Sequence, residues 1–289
     1  MIRNITNQSR NLFAALCALL LLAACNPNSG SSPANGTSST DGNADSSAGS
    51  GDEAFQHAVI TDTLAYGEVD EQIVKGHFAF PEDKVGDSPA VILVHEWWGL
   101  TDDMRSLANQ FAAEGFIVLA VDLFNGQTAT GSGDARKLML GVFEHPELAE
   151  ENLRQASDWL VNIAGASQVA VVGYGFGGGW SLNAAIALPE RFDAAVIFYG
   201  QVSDNEAVLS AISVPILGFF GGADNTISVD VVEKFDVALE SLGKNHEIII
   251  YPSAKGGFAN PGGRNYYKDL AEKSWRRMIE FLNENLVRT

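Results

Sequence analysis

Cysteine is confined to Cys17 and Cys25, so no disulfide can staple the chain beyond that point. Proline is scarce, with 9 in 289 residues, which leaves long stretches free to form regular elements. There is no block of Lys and Arg. Past residue 25 the chain carries 16 basic against 36 acidic groups, and Arg276-Arg277 is isolated on a stretch that otherwise alternates in sign. Such a surface lacks the cations that neutralise phosphates, so nucleic acid is not an expected partner. The five histidines fall into no HExxH or paired spacing, so no metal site and no cofactor is expected.

What is present begins with an amino-terminal leader. Arg3 and Arg10 precede an apolar run from Leu12 to Ala24 that is short for a bilayer span and ends in Leu22-Ala23-Ala24-Cys25. Charge, run and tetrad together read as a signal peptide over residues 1–24. The tetrad resembles a bacterial lipobox, which implies cleavage before Cys25 and lipidation of that residue, hence a membrane partner through the anchor and a cell-envelope location. Residues 25–54 are the lipidated end and a tether. From Asn26 to Glu53 there is no large apolar side chain to offset the entropy of ordering. Its typical reach is about 30 Å at 5–6 Å times the square root of its length.

Residues 55–289 read as one α/β domain. Strand-like stretches at His57 to Tyr66 and Gln72 to Pro81 lead to a buried run, Ala90 to His95, and then to alternating strands and helices. Met104, Leu107, Ala108, Phe111 and Ala112 follow helical spacing after Thr101, a candidate N-cap, and Gly115 stops the helix. A second amphipathic helix is expected over Ala149 to Ile163. Strands are expected at Phe116 to Val121, Val169 to Gly173, Ala194 to Tyr199, Pro215 to Phe220 and Glu247 to Tyr251, with a final helix from about Tyr266 to Val287. Continuous apolar runs of this kind suit parallel strands covered on both faces.

Gly173-Tyr174-Gly175-Phe176-Gly177 lies where one such strand turns into a helix, in the frame of a GxSxG nucleophile elbow with glycine at the nucleophile position. Gly175 supplies backbone but no attacking atom. In that frame the acid and the histidine follow later strands. Asp224 stands at the acid position after Gly221-Gly222-Ala223, and Gly256 stands where a histidine is expected.

The stretches VILVHEWWGL (Val91 to Leu100), LAVDLFNG (Leu119 to Gly126), VVGYGFGGGW (Val171 to Trp180), GFFGGADNTI (Gly218 to Ile227) and YPSAKGGFANPGG (Tyr251 to Gly263) closely resemble the dienelactone hydrolase family. The resemblance spans about Phe55 to Leu286. It implies an α/β-hydrolase fold with a mostly parallel central sheet and helices on both faces, and chemistry on esters and lactones by a cysteine nucleophile. By that resemblance Glu96 matches the glutamate that helps form the thiolate, Asp224 the acid, Gly175 the cysteine and Gly256 the histidine. Arginines bind substrate carboxylate in the family, one of them four residues past the histidine; here Asn260 occupies that place, which weakens the case for an anionic substrate. The backbone amides of Trp97 and Phe176 are the expected oxyanion donors. Trp98, Tyr174, Phe258 and Asn260 are expected around the substrate pocket, although core packing explains the tryptophans Trp97 and Trp98 equally well.

Two functions follow from these residues. One is a tethered binder of an ester, a lactone or a small apolar acid; the other is a working ester or lactone hydrolase with an unrecognised nucleophile. His95, Lys255 and Ser181 are the candidates for substitute chemistry, and each has a structural reading as buried, solvated or helical residue. Glu96 and Asp224 would resist simultaneous ionisation if both were buried together. Gly173, Gly175 and Gly178 also satisfy GxGxxG, but no acid stands at the end of the following strand to hold a ribose.

Overall fold

The computed structural model describes residues 57–84 and 88–286. The signal peptide, the lipidation at Cys25 and the tether lie outside the described residues. Eight strands form one sheet: β1 (Val59–Val69), β2 (Gln72–Pro81), β3 (Ala90–Val94), β4 (Ile117–Val121), β5 (Val169–Tyr174), β6 (Ala194–Phe198), β7 (Ile216–Gly221) and β8 (His246–Tyr251). Their spatial order is β1-β2-β4-β3-β5-β6-β7-β8. The β1–β2 and β2–β4 pairs are antiparallel, and every pair from β4 to β8 is parallel.

The sequences of β3 to β7 explain their central place. AVILV, IVLAV, VAVVGY, AAVIF and ILGFFG are buried at every position, as strands covered on both faces must be. Alternate side chains divide between two layers. Ile92, Val94, Leu119 and Val171 pack with Leu153 and Leu160 of α3 (Pro146–Asn162), Trp180 of α4 (Phe176–Ala187) and Phe235 of α6 (Val229–Ser241). Val91, Leu93, Val118 and Val172 pack with Phe111 of α1 (Asp102–Ala113) and with Met278 and Leu282 of α7 (Lys268–Leu286). The expected α/β architecture is therefore present, with helices on both faces.

Differences from the expected elements have local causes. Thr101 does cap α1, but its side chain makes no capping bond, and Asp102 and Asp103 supply the negative charge that the helix start favours. Gly115 ends that segment at φ +103°. The helix expected from Ala149 begins three residues earlier, because Pro146 has the fixed φ that suits a first helical position. Three helices were not among the expected elements: α2 (Ser132–Glu144), the short α5 (Glu206–Leu209) and α6. Helix α2 buries only Ala135 and contains Gly133 and Gly141, which weaken its helical pattern.

Candidate functional site

Strand β5 ends at Tyr174, and Gly175 forms the turn into α4 with φ +57° and ψ −113°. Its amide donates to the Phe198 carbonyl at 2.9 Å, and its carbonyl accepts from Gly179 at 3.2 Å. The glycines around it are fixed by packing. A Cβ on Gly173 would strike the Gly177 carbonyl, one on Gly177 the Val94 carbonyl, and one on Gly178 would lie 2.8 Å from the Phe198 carbonyl. Helix α4 thus leaves the sheet at nearly backbone contact, so these glycines need no nucleotide phosphate to explain them. Gly175 differs. A Cβ there would meet only the Tyr199 ring, at 3.9 Å and 4.0 Å, which is ordinary contact.

The loops after β3, β6, β7 and β8 end at the same side of the sheet. Glu96 follows β3 and is buried, at 7% exposure. The Tyr199 hydroxyl donates to its Oε1 at 3.2 Å and the Asn260 side-chain amide donates to its Oε2 at 2.7 Å. Burial raises the Glu96 pKa from its ordinary value; the donors from Asn260 and Tyr199 pull it partly back, and the charge of Asp103 adds to the rise. Asp224 is only partly buried, so the condition for its competition with Glu96, burial of both carboxylates, is not met.

Asp224 follows β7 and is partly exposed. Its Oδ1 accepts from the amides of Thr226 at 2.7 Å and Ile227 at 3.3 Å. Gly256 follows β8, and its carbonyl accepts from the Asn265 side chain at 2.8 Å. A Cβ at position 256 would lie 2.5 Å from Oδ2 of Asp224. The two positions therefore adjoin, as their places in the sequence imply, and the carboxylate fills the start of the path a side chain at 256 would take.

Phe176 is the first residue of α4, where the helix leaves its amides without intrahelical acceptors. Trp97 and Trp98 are partly exposed, with ring centroids 4.8 Å apart. Trp98 is tied through its carbonyl to the amide of Ala129 at 2.9 Å. Tyr174 and Phe258, expected around the pocket, are interior. Tyr174 stacks on Phe198 at 4.2 Å, and the fully buried Phe258 meets Tyr199 and Tyr251 edge-on at 5.3 Å and 5.4 Å. Tyr174 enters the core as the last residue of β5 and Phe258 from the loop after β8, and both rings brace Tyr199. Tyr199 itself was not singled out by the sequence. It is a buried, non-glycine residue at φ +40°, a conformation that single-residue patterns do not signal.

The candidates for substitute chemistry are either engaged in the interior or exposed to solvent. His95 is completely buried; its Nδ1 lies 2.7 Å from the Glu96 carbonyl, and its Nε2 accepts from the Leu123 amide at 3.1 Å. Desolvation lowers its pKa, so the ring is a neutral structural tie with the proton on Nδ1. The Ser181 hydroxyl is buried and donates to the Gly177 carbonyl at 3.2 Å, and Lys255 is exposed. His57, His77 and His246 pair with Asp83, Asn109 and Asp236 respectively. Among the described residues no three His, Cys, Asp or Glu side chains gather as a metal-ligand set. A shallow groove of about 510 Å³ between α5 and α6 shares no residue with the elbow.

Comparison with known proteins agrees with this fold. A model of the dienelactone hydrolase family matches residues 74–286. A protein of Aquifex pyrophilus named protein usf is 30% identical over 221 residues, covering 74% of this chain and 94% of its own length. A Saccharolobus solfataricus protein named as a carboxymethylenebutenolidase is 26% identical over 245 residues, covering 72% of this chain and 93% of its own. A crystal structure from Klebsiella pneumoniae, described as a dienelactone hydrolase, superposes with a TM-score of 0.71 at 23% identity, covering 78% of this chain and 98% of that one.

Proposed function

The chain belongs to the dienelactone hydrolase family, and from that premise we propose that it binds a small ester, lactone or apolar acid over Gly175 while hydrolysing it poorly. One observation carries this reading. The elbow turn is formed, yet position 175 has neither thiol nor hydroxyl, and beyond its chain neighbours a Cβ built there would meet only the Tyr199 ring. The amides of Phe176 and Trp97 would receive a carbonyl oxygen, Glu96 would flank it with a carboxyl whose pKa burial raises, and Asn260 offers no positive charge to a carboxylate. Amides alone are a modest catalyst: losing a triad nucleophile or histidine typically lowers turnover by about 10⁶, leaving about 10³–10⁴ over water.

Lipidation at Cys25 would hold this domain at a bacterial membrane surface through the tether. The combination of charged leader, short apolar run and LAAC tetrad supports that placement. Radiolabelled palmitate incorporation, abolished by Cys25→Ser, is the expected result.

The experiment for the binding reading is a panel of aryl esters and lactones, assayed on the protein and on a Gly175→Cys/Gly256→His double variant. Binding of panel members to the unaltered protein, with turnover gained only in the double variant, supports it. Equal, rapid turnover in both proteins overturns it and favours an active hydrolase with another nucleophile. His95 and Ser181 are engaged in buried hydrogen bonds and Lys255 is exposed to solvent, so none of the three supports that second reading.

A further inference from the structure

Tyr199 is held from four directions. Its amide donates to the Phe219 carbonyl at 2.7 Å, its hydroxyl to Glu96, and its ring meets Phe258 and Tyr174 edge-on at 5.3 Å and 6.2 Å. The next residue, Gly200, cannot yield, since any side chain there would strike the backbone of Gly178. A non-glycine residue kept at φ +40° in such a setting stores backbone strain that the surrounding contacts must sustain. The beneficiary is the space over Gly175. The ring atoms Cδ2 and Cε2 of Tyr199 are the nearest atoms, 3.9–4.0 Å from where a Cβ on Gly175 would be.

We infer that Tyr199 determines the specificity of this site: its ring edge limits the width of any group approaching the backbone of Gly175, and its hydroxyl, with Asn260, fixes the Glu96 carboxyl beside that approach. The groups admitted are slender, such as an unbranched acyl chain or the edge of a small lactone ring. Branched or fused aromatic acyl groups meet a wall that cannot swing away, because its hydroxyl, amide and ring are all engaged. Asn260 completes the arrangement from the loop after β8, so Glu96 joins two loops through one carboxyl group.

This inference rests on the space over Gly175 being the ligand site, and its test uses no ligand. Gly175→Cys places a thiol there, and the full-length protein is treated with iodoacetamide or with the bulky N-(1-pyrenyl)maleimide. Mass spectrometry of the peptide containing position 175 reads modification at that position alone. The ratio of the two rates cancels the thiol's own reactivity, because both reagents attack the same thiolate. Adding Tyr199→Asn, a residue that tolerates positive φ, should raise the bulky-to-small ratio about tenfold, the scale on which pocket walls discriminate small differences in size. Adding Tyr199→Phe should leave that ratio unchanged while raising the Glu96 pKa followed by carboxyl ¹³C NMR. An unchanged ratio with Tyr199→Asn overturns the wall, and an unchanged Glu96 titration with Tyr199→Phe overturns the clamp. Failure of the ester panel to bind would count against the function proposed above and would leave both of these readouts standing.

Discussion

The carboxylate of Asp224 stands at the point where a side chain on Gly256 would begin, with Oδ2 2.5 Å from the Cβ position and Oδ1 fixed by the amides of Thr226 and Ile227. Glycine at 256 and the position of Asp224 are therefore mutually dependent. A histidine at 256 needs the carboxylate to turn away before its ring can be oriented by it.

Gly256→Ala should consequently destabilise the protein by about 1–3 kcal/mol, the usual penalty for overpacking. Asp224→Ala removes the obstacle together with its hydrogen bonds. The double variant should lose less stability than the sum of the single ones, since the two residues are in contact. Urea unfolding of the four proteins measures this directly, and strict additivity would show that the carboxylate moves freely.

Gly175 and Gly177 are two residues apart but should respond differently to alanine. At Gly175 there is room for a methyl group, so the penalty comes from backbone conformation alone, about 1–3 kcal/mol. At Gly177 the methyl would be driven into the carbonyls of Val94 and His95, which belong to β3 and the loop that follows. Gly175→Ala should fold with a lowered midpoint in thermal denaturation, whereas Gly177→Ala should give little or no folded protein.

His95 should remain neutral in solution. Burial lowers its pKa below the ordinary 6.5, and Leu123 donates to Nε2, which leaves the proton on Nδ1. Long-range ¹H–¹⁵N correlation should show the Nδ1–H tautomer with no change on acidification through pH 6.5. The sign of the linked stability follows: the unfolded ring takes up a proton below that pH and the folded one does not, so the contribution is present above it and lost as pH falls. A ring that titrates at its ordinary value would contradict the hydrogen-bond pattern.

Much of this was legible in the sequence because it depends on composition within short windows. The uninterrupted Ala, Val and Ile runs of β3 to β6 declare buried parallel strands, and Gly173, Gly175 and Gly177 declare a turn that brings a helix against them. Glu96 and Asn260 were visible as site residues but not as partners, since 164 positions separate them and only the folded loops bring them to 2.7 Å. Tyr199 was invisible for a different reason. Its importance lies in a positive φ and in three-dimensional contacts, while its sequence context is an ordinary strand end. Tyr174 and Phe258 show the converse: both stand beside the motifs, one at the end of β5 and one in the loop after β8, and both rings are buried.

Glu96 offers the most informative pH experiment. Its carboxyl is raised above the ordinary value of 4.5 chiefly by burial, against the lowering effects of Asn260 and Tyr199. Between the unfolded and folded pKa the native state holds a proton that the unfolded chain has released, so stability falls as pH rises through that window. The contribution is complete below the unfolded value and lost above the folded one. Glu96→Gln cannot ionise and keeps a similar shape, so the difference in unfolding free energy between it and the parent should change in its favour as pH increases. Asn260→Ala should shift the Glu96 transition to higher pH, because it removes the larger of the two hydrogen bonds that favour the anion. A pH-independent difference between Glu96→Gln and the parent would mean that the buried carboxyl titrates as an ordinary one, and that the hydrogen bonds from Tyr199 and Asn260 offset the whole of its desolvation.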